Sequence, residues 1–511
     1  LMKEKQTNAF VQAMEKEVAW KQTENGADAL NTTFDANLDL FATIGAMRKR
    51  SKNDVEIKFI KAYEEDPLTA VKILFYARDI EEGLGERNVF RICLHKLAKI
   101  KPQDAIINIP NIVKFGRWDD LYALVNTNAE RAAFLFIRDQ LVEDLTAMKE
   151  GRPVSLAAKW LKSVNTSSSK SRKLGRLTAS FLGLSEQRYR RLLSDLRKYI
   201  GITERLMSAN NWEQIDFNKV PGGAMKRYIS AFYRHQSERF KEYIDAVNNN
   251  KAVVVNGQEV KAKINTKKLF PYEIIEKYTY NGCGCIVKQV RPEYEAMWKG
   301  LNDWIQGTEN NIIVMADVSG SMNGRPMCSS VGLAIYFAER NKGPFHNKFM
   351  TFSSSPSWVS LNDNMSLHDK ISVVAKGEWG SSTNIYRALE LILNTAVAAN
   401  LKQEDLPKAL VIITDMEFDR GVYQADRTMF YDHIKHAFAA HGYELPEVVF
   451  WNVDARHDTF HAEYTTNQVK LVSGQSAAVF KSLIDSKAYN PYDFMKDVVY
   501  KQRYESVVIS Q

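Results

Sequence analysis

Asp317, Ser319 and Ser321 alternate along the stretch Asn311-Ile312-Ile313-Val314-Met315-Ala316-Asp317-Val318-Ser319-Gly320-Ser321. One carboxylate and two hydroxyls in a tight turn point three hard oxygen donors toward one place, and Gly320 lets the backbone bend between them. Such donors suit a small divalent cation: hard ions take carboxylate, hydroxyl and water ligands, and Mg²⁺ keeps several waters and needs few protein donors. The same residues also fit a Ser-rich helix start, with Asp317 or Ser319 as N-cap and no metal.

The element that must position them is the run Ile312 to Ala316, short, apolar and rich in branched side chains. It reads as a buried parallel strand that delivers polar groups at its carboxyl end, where open α/β sheets build their sites. Residues 408–415 repeat the pattern and end in Asp415, and Gly380-Ser381-Ser382-Thr383-Asn384 presents another hydroxyl just before an amphipathic helix over 385–399. Taken in this order, Asp317-Val318-Ser319-Gly320-Ser321, Thr383 and Asp415 resemble the metal-ion-dependent adhesion site of von Willebrand factor A domains. The resemblance implies one Mg²⁺ surrounded, directly or through water, by Asp317, Ser319, Ser321, Thr383 and Asp415, with a coordination position left for an acidic group of a ligand. Ser381-Ser382 stands where that family often has Gly-Gly.

Around this site the pattern predicts strands at 311–317, 348–353, 357–361, 409–415, 448–453 and 469–473, and helices near 326–341, 366–376, 384–400, 425–440 and 475–485. Strand alternating with helix implies a mainly parallel, doubly wound, Rossmann-like α/β domain over 301–487. His457 and His461, with Asp454 and Asp458 beside them, have a spacing that also suits zinc.

The preceding 300 residues read differently. A helical stretch runs to about Trp20, a polar gap covers Thr23 to Asp28, and a second helical pattern spans Leu38 to Met47. From Asp54 to Gly151 helices of about 12–16 residues are separated by Pro or Gly breaks, which predicts stacked HEAT-like helical pairs. The words Gly83-Leu84-Gly85-Glu86-Arg87, Asn88-Val89-Phe90-Arg91 and Phe115-Gly116-Arg117-Trp118-Asp119-Asp120-Leu121, followed by an A domain, resemble the TROVE module of the Ro autoantigen group and its plant, fungal and viral relatives. That resemblance implies a ring of helical repeats closed by the A domain and bound to structured or misfolded small RNA.

Residues 151–240 hold 18 Lys or Arg against 6 Asp or Glu, whereas the whole chain carries only +8. The cations are Lys159 and Lys162; Lys170, Arg172, Lys173 and Arg176 beside Ser167-Ser168-Ser169, read as a mobile loop; and Arg188, Arg190, Arg191, Arg197 and Lys198, read as a helix face. A concentrated positive surface fits a phosphate backbone, which needs many cations more than a fixed geometry. Tyr189, Tyr199, Trp212, Tyr228, Phe232 and Tyr233 interleave with them, as core residues rather than base-stacking platforms. Residues 251–300 form a connector, with an Asn256-Gly257 hairpin signal, a turn at Cys283-Gly284-Cys285, a helix near Glu273 and another from Pro292 to Ile305. Residues 488–511 form a tail packed back on the helical half.

At 511 residues, 45% hydrophobic and 25% charged, the chain has the composition of a multidomain globular protein. No run approaches the roughly 20 apolar residues of a membrane span. The opening Leu1-Met2-Lys3-Glu4-Lys5 lacks the order of a secretory signal, and Cys93, Cys283, Cys285 and Cys328 form no disulfide or zinc framework. A cytoplasmic monomer is expected. No nucleophile–base pair, phosphate loop or nuclease carboxylate cluster is legible, and although Asp317 and Asp415 suit two-metal phosphoryl chemistry, the flanking hydroxyls fit one ion better. The expected function is non-enzymatic RNA binding. The alternative is a protein-interaction scaffold whose metal captures an acidic partner side chain.

Overall fold

The computed structural model describes residues 8–255, 257–280, 283–286, 289–305, 311–377, 380, 383–420 and 430–510. They form two compact units that interleave along the chain. One comprises residues up to Ala70, Phe270–Trp298 and Asp303–Lys501; the other comprises Val71–Leu269, Lys299–Asn302 and the residues from Gln502 onward. The chain therefore crosses between units more often than a division at residue 300 implies.

The first unit is built on a six-stranded mixed sheet. Its strands, in chain order, are Ile312–Asp317, Lys348–Phe352, Ser357–Ser360, Ala409–Thr414, Glu447–Asn452 and Val469–Ser473. In space the order is sixth, fifth, fourth, first, second, third. All pairs are parallel except the second with the third. The first and fourth strands lie side by side, Ile413 opposite Ala316, so the residues that follow them emerge at the same end. Both strands are buried on both faces, which is why they read as unbroken apolar runs rather than alternating ones. The helices Arg325–Arg340, Leu367–Ala375, Ile385–Ala398, Phe430–Ala440 and Ala478–Asp485 connect or flank them. The helix Arg325–Arg340 is buried from Pro326 to Ala338. At Gly332 it lies so close to Pro271–Ile275 that a Cβ would stand 3.1 Å from Ile275 and 3.3 Å from Pro271.

This unit also contains a feature absent from the sequence reading. The polar gap after the helix Ala9–Ala19 is the turn of a two-stranded hairpin, Trp20–Gln22 against Asp28–Leu30. Leu30 pairs onward with Phe460, and Gly26 with Asp419. The segment Cys283–Ile286 is a strand paired with Thr279–Tyr280, not a turn, and its thiols lie outside the described residues. The helix beginning at Pro292 ends at Lys299, short of Ile305.

The second unit is helical. Among its helices are Asn88–Ile100, Glu130–Lys149, Ser169–Phe181, Glu186–Ile200, Gly222–His235 and Ser237–Asn248. The Gly83–Arg87 turn folds back on the end of the preceding helix: Leu84 N donates to Tyr76 O, Gly85 N to Asp79 O and Glu86 N to Ala77 O. Gly85 takes φ +66°, a region that costs other residues energy. The chain's last residues return here, with Asn108 Nδ2 donating to Val508 O (2.6 Å) and Ser510 N to Asp104 Oδ1 (2.7 Å). The hairpin over Asn256-Gly257 is present as Ala252–Val255 against Gln258–Lys261, with Asn256 itself outside the described residues.

The centre of this unit is a buried ion pair. Asp120, fully buried, accepts from Arg78 Nε at 2.8 Å and from Arg91 Nε at 2.6 Å. Gly116 makes room for it: a Cβ there would stand 2.5 Å from Asp120 Oδ2, 2.6 Å from Ile112 O and 3.0 Å from Arg78 Nε. Gly116→Ala must push the carboxylate off its partners, and breaking a buried pair costs about 3 kcal/mol or more. Thermal unfolding is expected to record a drop of many degrees, and an unchanged melting temperature would contradict the packing described.

Candidate metal centre and nucleic-acid interface

The first strand ends in Asp317, which has no exposed surface. Its Oδ1 accepts from Ser319 N at 2.9 Å, and its Oδ2 accepts from Thr414 Oγ1 at 2.6 Å, across the strand pair. Ser319 Oγ and Ser321 Oγ are 3.2 Å apart on the single helical turn Gly320–Met322. Ser321 also lies near the carboxylate of Asp415, the residue after the fourth strand, and favours its charged form. Thr383 reaches the same end of the sheet by its backbone: its N–H donates to Asp419 Oδ1, its carbonyl accepts from Asp419 N, and the N–H of Asn384 donates to Ser353 O after the second strand.

Two observations test whether a cation fits. Thr383 Oγ1 is buried and has no hydrogen-bond partner among the described residues, an expensive condition for a hydroxyl that an ion or its water shell relieves. Burial and the nearby Asp415 carboxylate push the Asp317 carboxyl up to about 7, and burial likewise raises that of Asp415. Two acids that repel each other in a dry place with hydroxyls between them match the needs of a hard dication. The residues present therefore fit Mg²⁺.

The cations singled out in the sequence fall into two groups. The four cations expected in a mobile loop are helical: the Ser168 hydroxyl accepts from Ser171 N and caps the helix Ser169–Phe181, which carries Lys170, Arg172, Lys173 and Arg176. A run of Ser beside basic residues satisfies a helix N-terminus as readily as it forms a loop. Arg172 Nη1 donates to the carbonyls of Thr166 and Ser167, and Arg176 pairs with Glu186 at 2.9 Å. On Glu186–Ile200 the apolar face is Tyr189, Leu193 and Leu196, and Arg188, Arg190, Arg191 and Lys198 are exposed. These four and Lys170 and Lys173 have no carboxylate partner among the described residues. Arg197 behaves differently: its guanidinium turns inward and donates to Ala158 O, Ser163 Oγ and Leu161 O at 2.8–2.9 Å. Burial, unrelieved by any carboxylate, lowers its pKa. Arg197 is thus a strut, not a surface cation. Lys159 lies over Trp160 and Lys162 is 3.1 Å from Asp119. Tyr189, Trp212 and Phe232 are core, as expected, and Tyr199 is exposed.

With this geometry in view, comparison with known proteins gives two family matches. Residues 23–136 and 165–303 match the domain of unknown function DUF2828, and residues 311–507 match the domain of unknown function DUF7788. An uncharacterized protein, L728, of Acanthamoeba polyphaga mimivirus is 30% identical over 504 residues, covering 93% of this chain and 86% of the viral one. The chain belongs to the DUF2828 family. Its DUF7788 stretch contains all five candidate metal-ligating residues, and its DUF2828 stretches contain the Gly83–Arg91 and Phe115–Leu121 words and the helices bearing the exposed cations.

The DUF2828 protein has site residues that the sequence reading missed. Arg456, in the loop after the fifth strand, places Nη2 2.6 Å from Asp415 Oδ2 and 3.3 Å from Glu24. The backbone N–H of Glu24 donates to Glu417 at 2.7 Å, so the hairpin turn borders the loop after the fourth strand. Asp419, which anchors Thr383, had a faint signal: it shares the loop with Asp415. Glu24 had none, because nothing in a polar gap names a partner almost 400 residues away.

The zinc reading of His457 and His461 is replaced. Asp454 pairs with Lys49 and Asp458 with Arg50 and Lys58. His461 is buried against Phe418 and Phe450 and its Nε2 donates to Met416 O at 2.9 Å. Among the described residues no three His, Cys, Asp or Glu groups are arranged to hold an ion. Burial pushes His461 down from 6.5 to about 4. The neutral imidazole therefore stabilises the fold fully above pH 6.5, and that contribution, up to about 3 kcal/mol, is lost as pH falls toward 4. Denaturant titrations at several pH values are expected to show a shallower acid limb for His461→Gln than for the parent. Taking this difference cancels Asp317, whose raised pKa acts with the opposite sign; equal slopes would contradict the assignment.

Among the described residues no helix is long and apolar enough to cross a membrane.

Proposed function

We propose that this DUF2828 protein binds RNA through its helical unit and holds one Mg²⁺ in its α/β unit, without catalysing a reaction. The observation that carries the RNA reading is the segregation of charge: 18 Lys or Arg against 6 Asp or Glu in residues 151–240 of a chain whose net charge is +8. Surface cations without carboxylate partners do little for stability. Aligned on adjoining helices, they suit a polyanion. The sequence words that resemble those of the TROVE module point the same way.

For the α/β unit we propose a von Willebrand A-type domain. Its support is the sheet order, the convergence of Asp317, Ser319, Ser321 and Asp415, and the orphaned Thr383 hydroxyl. These residues would hold the ion, which when bound supplies a positive charge for an acidic group of a partner. Thr414 fixes the orientation of Asp317, and Asp419 fixes that of Thr383. The scaffold reading keeps the metal centre and discards the RNA.

The two readings separate on purification. Full-length protein is expected to copurify with RNA, seen as a high 260/280 absorbance ratio, and after stripping to bind single-stranded RNA with a steep salt dependence. Protein that emerges free of nucleic acid and ignores added RNA at low salt leaves only the scaffold.

A further inference from the structure

The sequence words that carried the TROVE resemblance are separated in the chain by residues 92–114, and Arg87, Arg91, Arg117 and Asp119 from them line one cleft of about 460 Å³ in the helical unit. Arg87 and Arg91 come from the Gly83–Arg91 segment, Arg117 and Asp119 from the Phe115–Leu121 segment, and Lys159 and Lys162 flank Trp160-Leu161. The lining thus holds five cations and one carboxylate, together with the hydroxyls of Ser163, Thr166 and Ser171.

The cations are held, not merely present. Asp119 Oδ1 and Oδ2 each accept from Arg117 at 2.9 Å, and Lys162 Nζ lies 3.1 Å and Arg91 Nη2 3.0 Å from Oδ2. The Arg117 guanidinium lies over the Trp160 ring, 4.0 Å from its centroid. The backbone beneath Lys159 and Lys162 is fixed by the three Arg197 hydrogen bonds and by Tyr189 Oη donating to Lys162 O at 3.0 Å. Arg87 and Lys159 have no carboxylate partner among the described residues. Burial, helped by the repulsion of Arg87, outweighs the attraction of Asp119 and holds the Arg117 pKa below the ordinary arginine value. A nearby anion would relieve that.

We propose that this cleft is a binding site for a phosphate monoester. The Arg87 guanidinium, the lysines, the remaining N–H groups of Arg91 and Arg117 and the hydroxyls match its three terminal oxygens, its charge of about −2 offsets part of the excess of cations, and the volume leaves room for an attached nucleoside. A carboxylate ligand would engage one fork and leave the other cations uncompensated. The monoester comes either from the end of an RNA chain or from a free nucleotide. The first source rests on the RNA reading above; the second does not.

The test uses the full-length protein and four probes: one single-stranded RNA sequence with a 5′-phosphate or a 5′-hydroxyl, adenosine 5′-monophosphate, and inorganic phosphate. The variants are Arg87→Ala and Lys159→Ala, which remove cations without orphaning a carboxylate, each checked for an unchanged melting temperature. The phosphorylated RNA is expected to bind about tenfold more tightly than its hydroxyl twin, with the preference lost in Arg87→Ala. If RNA does not bind at all but the monophosphate does, and Arg87→Ala abolishes it, the cleft stands, its source is a free nucleotide, and the RNA reading falls. If the two RNA ends bind equally and neither small probe binds, or if the preference survives both variants, the inference is overturned while general RNA binding stands or falls on its own.

Discussion

Changing Arg188, Arg190, Arg191 and Lys198 together to Glu is expected to weaken binding of single-stranded RNA by about a hundredfold or more near physiological salt. Each cation that neutralises a phosphate releases a counterion, so removing four contacts should flatten the log–log salt dependence by about 3. These side chains are exposed, opposite the face formed by Tyr189, Leu193 and Leu196, so the melting temperature should hardly move. Arg197 is excluded from the set because it supports three acceptors in the 158–163 segment, and its loss would confound folding with binding. Fluorescence anisotropy across a salt series decides the matter. A variant that binds with the parent's affinity and salt slope would move the RNA site elsewhere.

Asp317→Asn is expected to abolish the stabilisation by Mg²⁺ while leaving the metal-free protein at least as stable as the parent. In the parent, an ion that binds only the folded state at about 100 times its dissociation constant adds about 2.7 kcal/mol. The amide keeps much of the shape and can still accept from Ser319 N, but it no longer repels Asp415. Because burial and Asp415 raise the Asp317 carboxyl to about 7, charging it at higher pH costs the metal-free fold stability. Differential scanning calorimetry with and without Mg²⁺ reads both effects. A full Mg²⁺ shift in the variant would show that the ligand set is wrong. Loss of RNA affinity in a folded Asp317→Asn protein would show that the two functions are assigned to the wrong halves.

The sheet was legible because parallel strands buried on both faces leave continuous apolar runs: the expected strands at 311–317 and 409–415 differ from the observed Ile312–Asp317 and Ala409–Thr414 by one residue at one end. The polar groups that terminate them were legible for the same reason. What was not legible is what depends on distant partners. Trp20–Gln22 and Asp28–Leu30 are three residues each, too short for a pattern, and the turn between them is held by Thr23 donating to Phe418 O. Arg197 reads as one more surface charge until the carbonyls of Ala158 and Leu161 are seen to need a donor. Glycine spacing in Gly83–Arg87 announces a turn, yet only the fold shows that it sets Arg87 beside Arg117. Arg456 at Asp415 had no sequence signal of its own.

Ultraviolet crosslinking of bound RNA to the full-length protein, with crosslinked peptides identified by mass spectrometry, addresses the RNA site itself. Crosslinks are expected on peptides within residues 151–240, chiefly those of Ser169–Phe181 and Glu186–Ile200. Crosslinks confined to the α/β unit, around Asp317 and Asp415, would contradict the account.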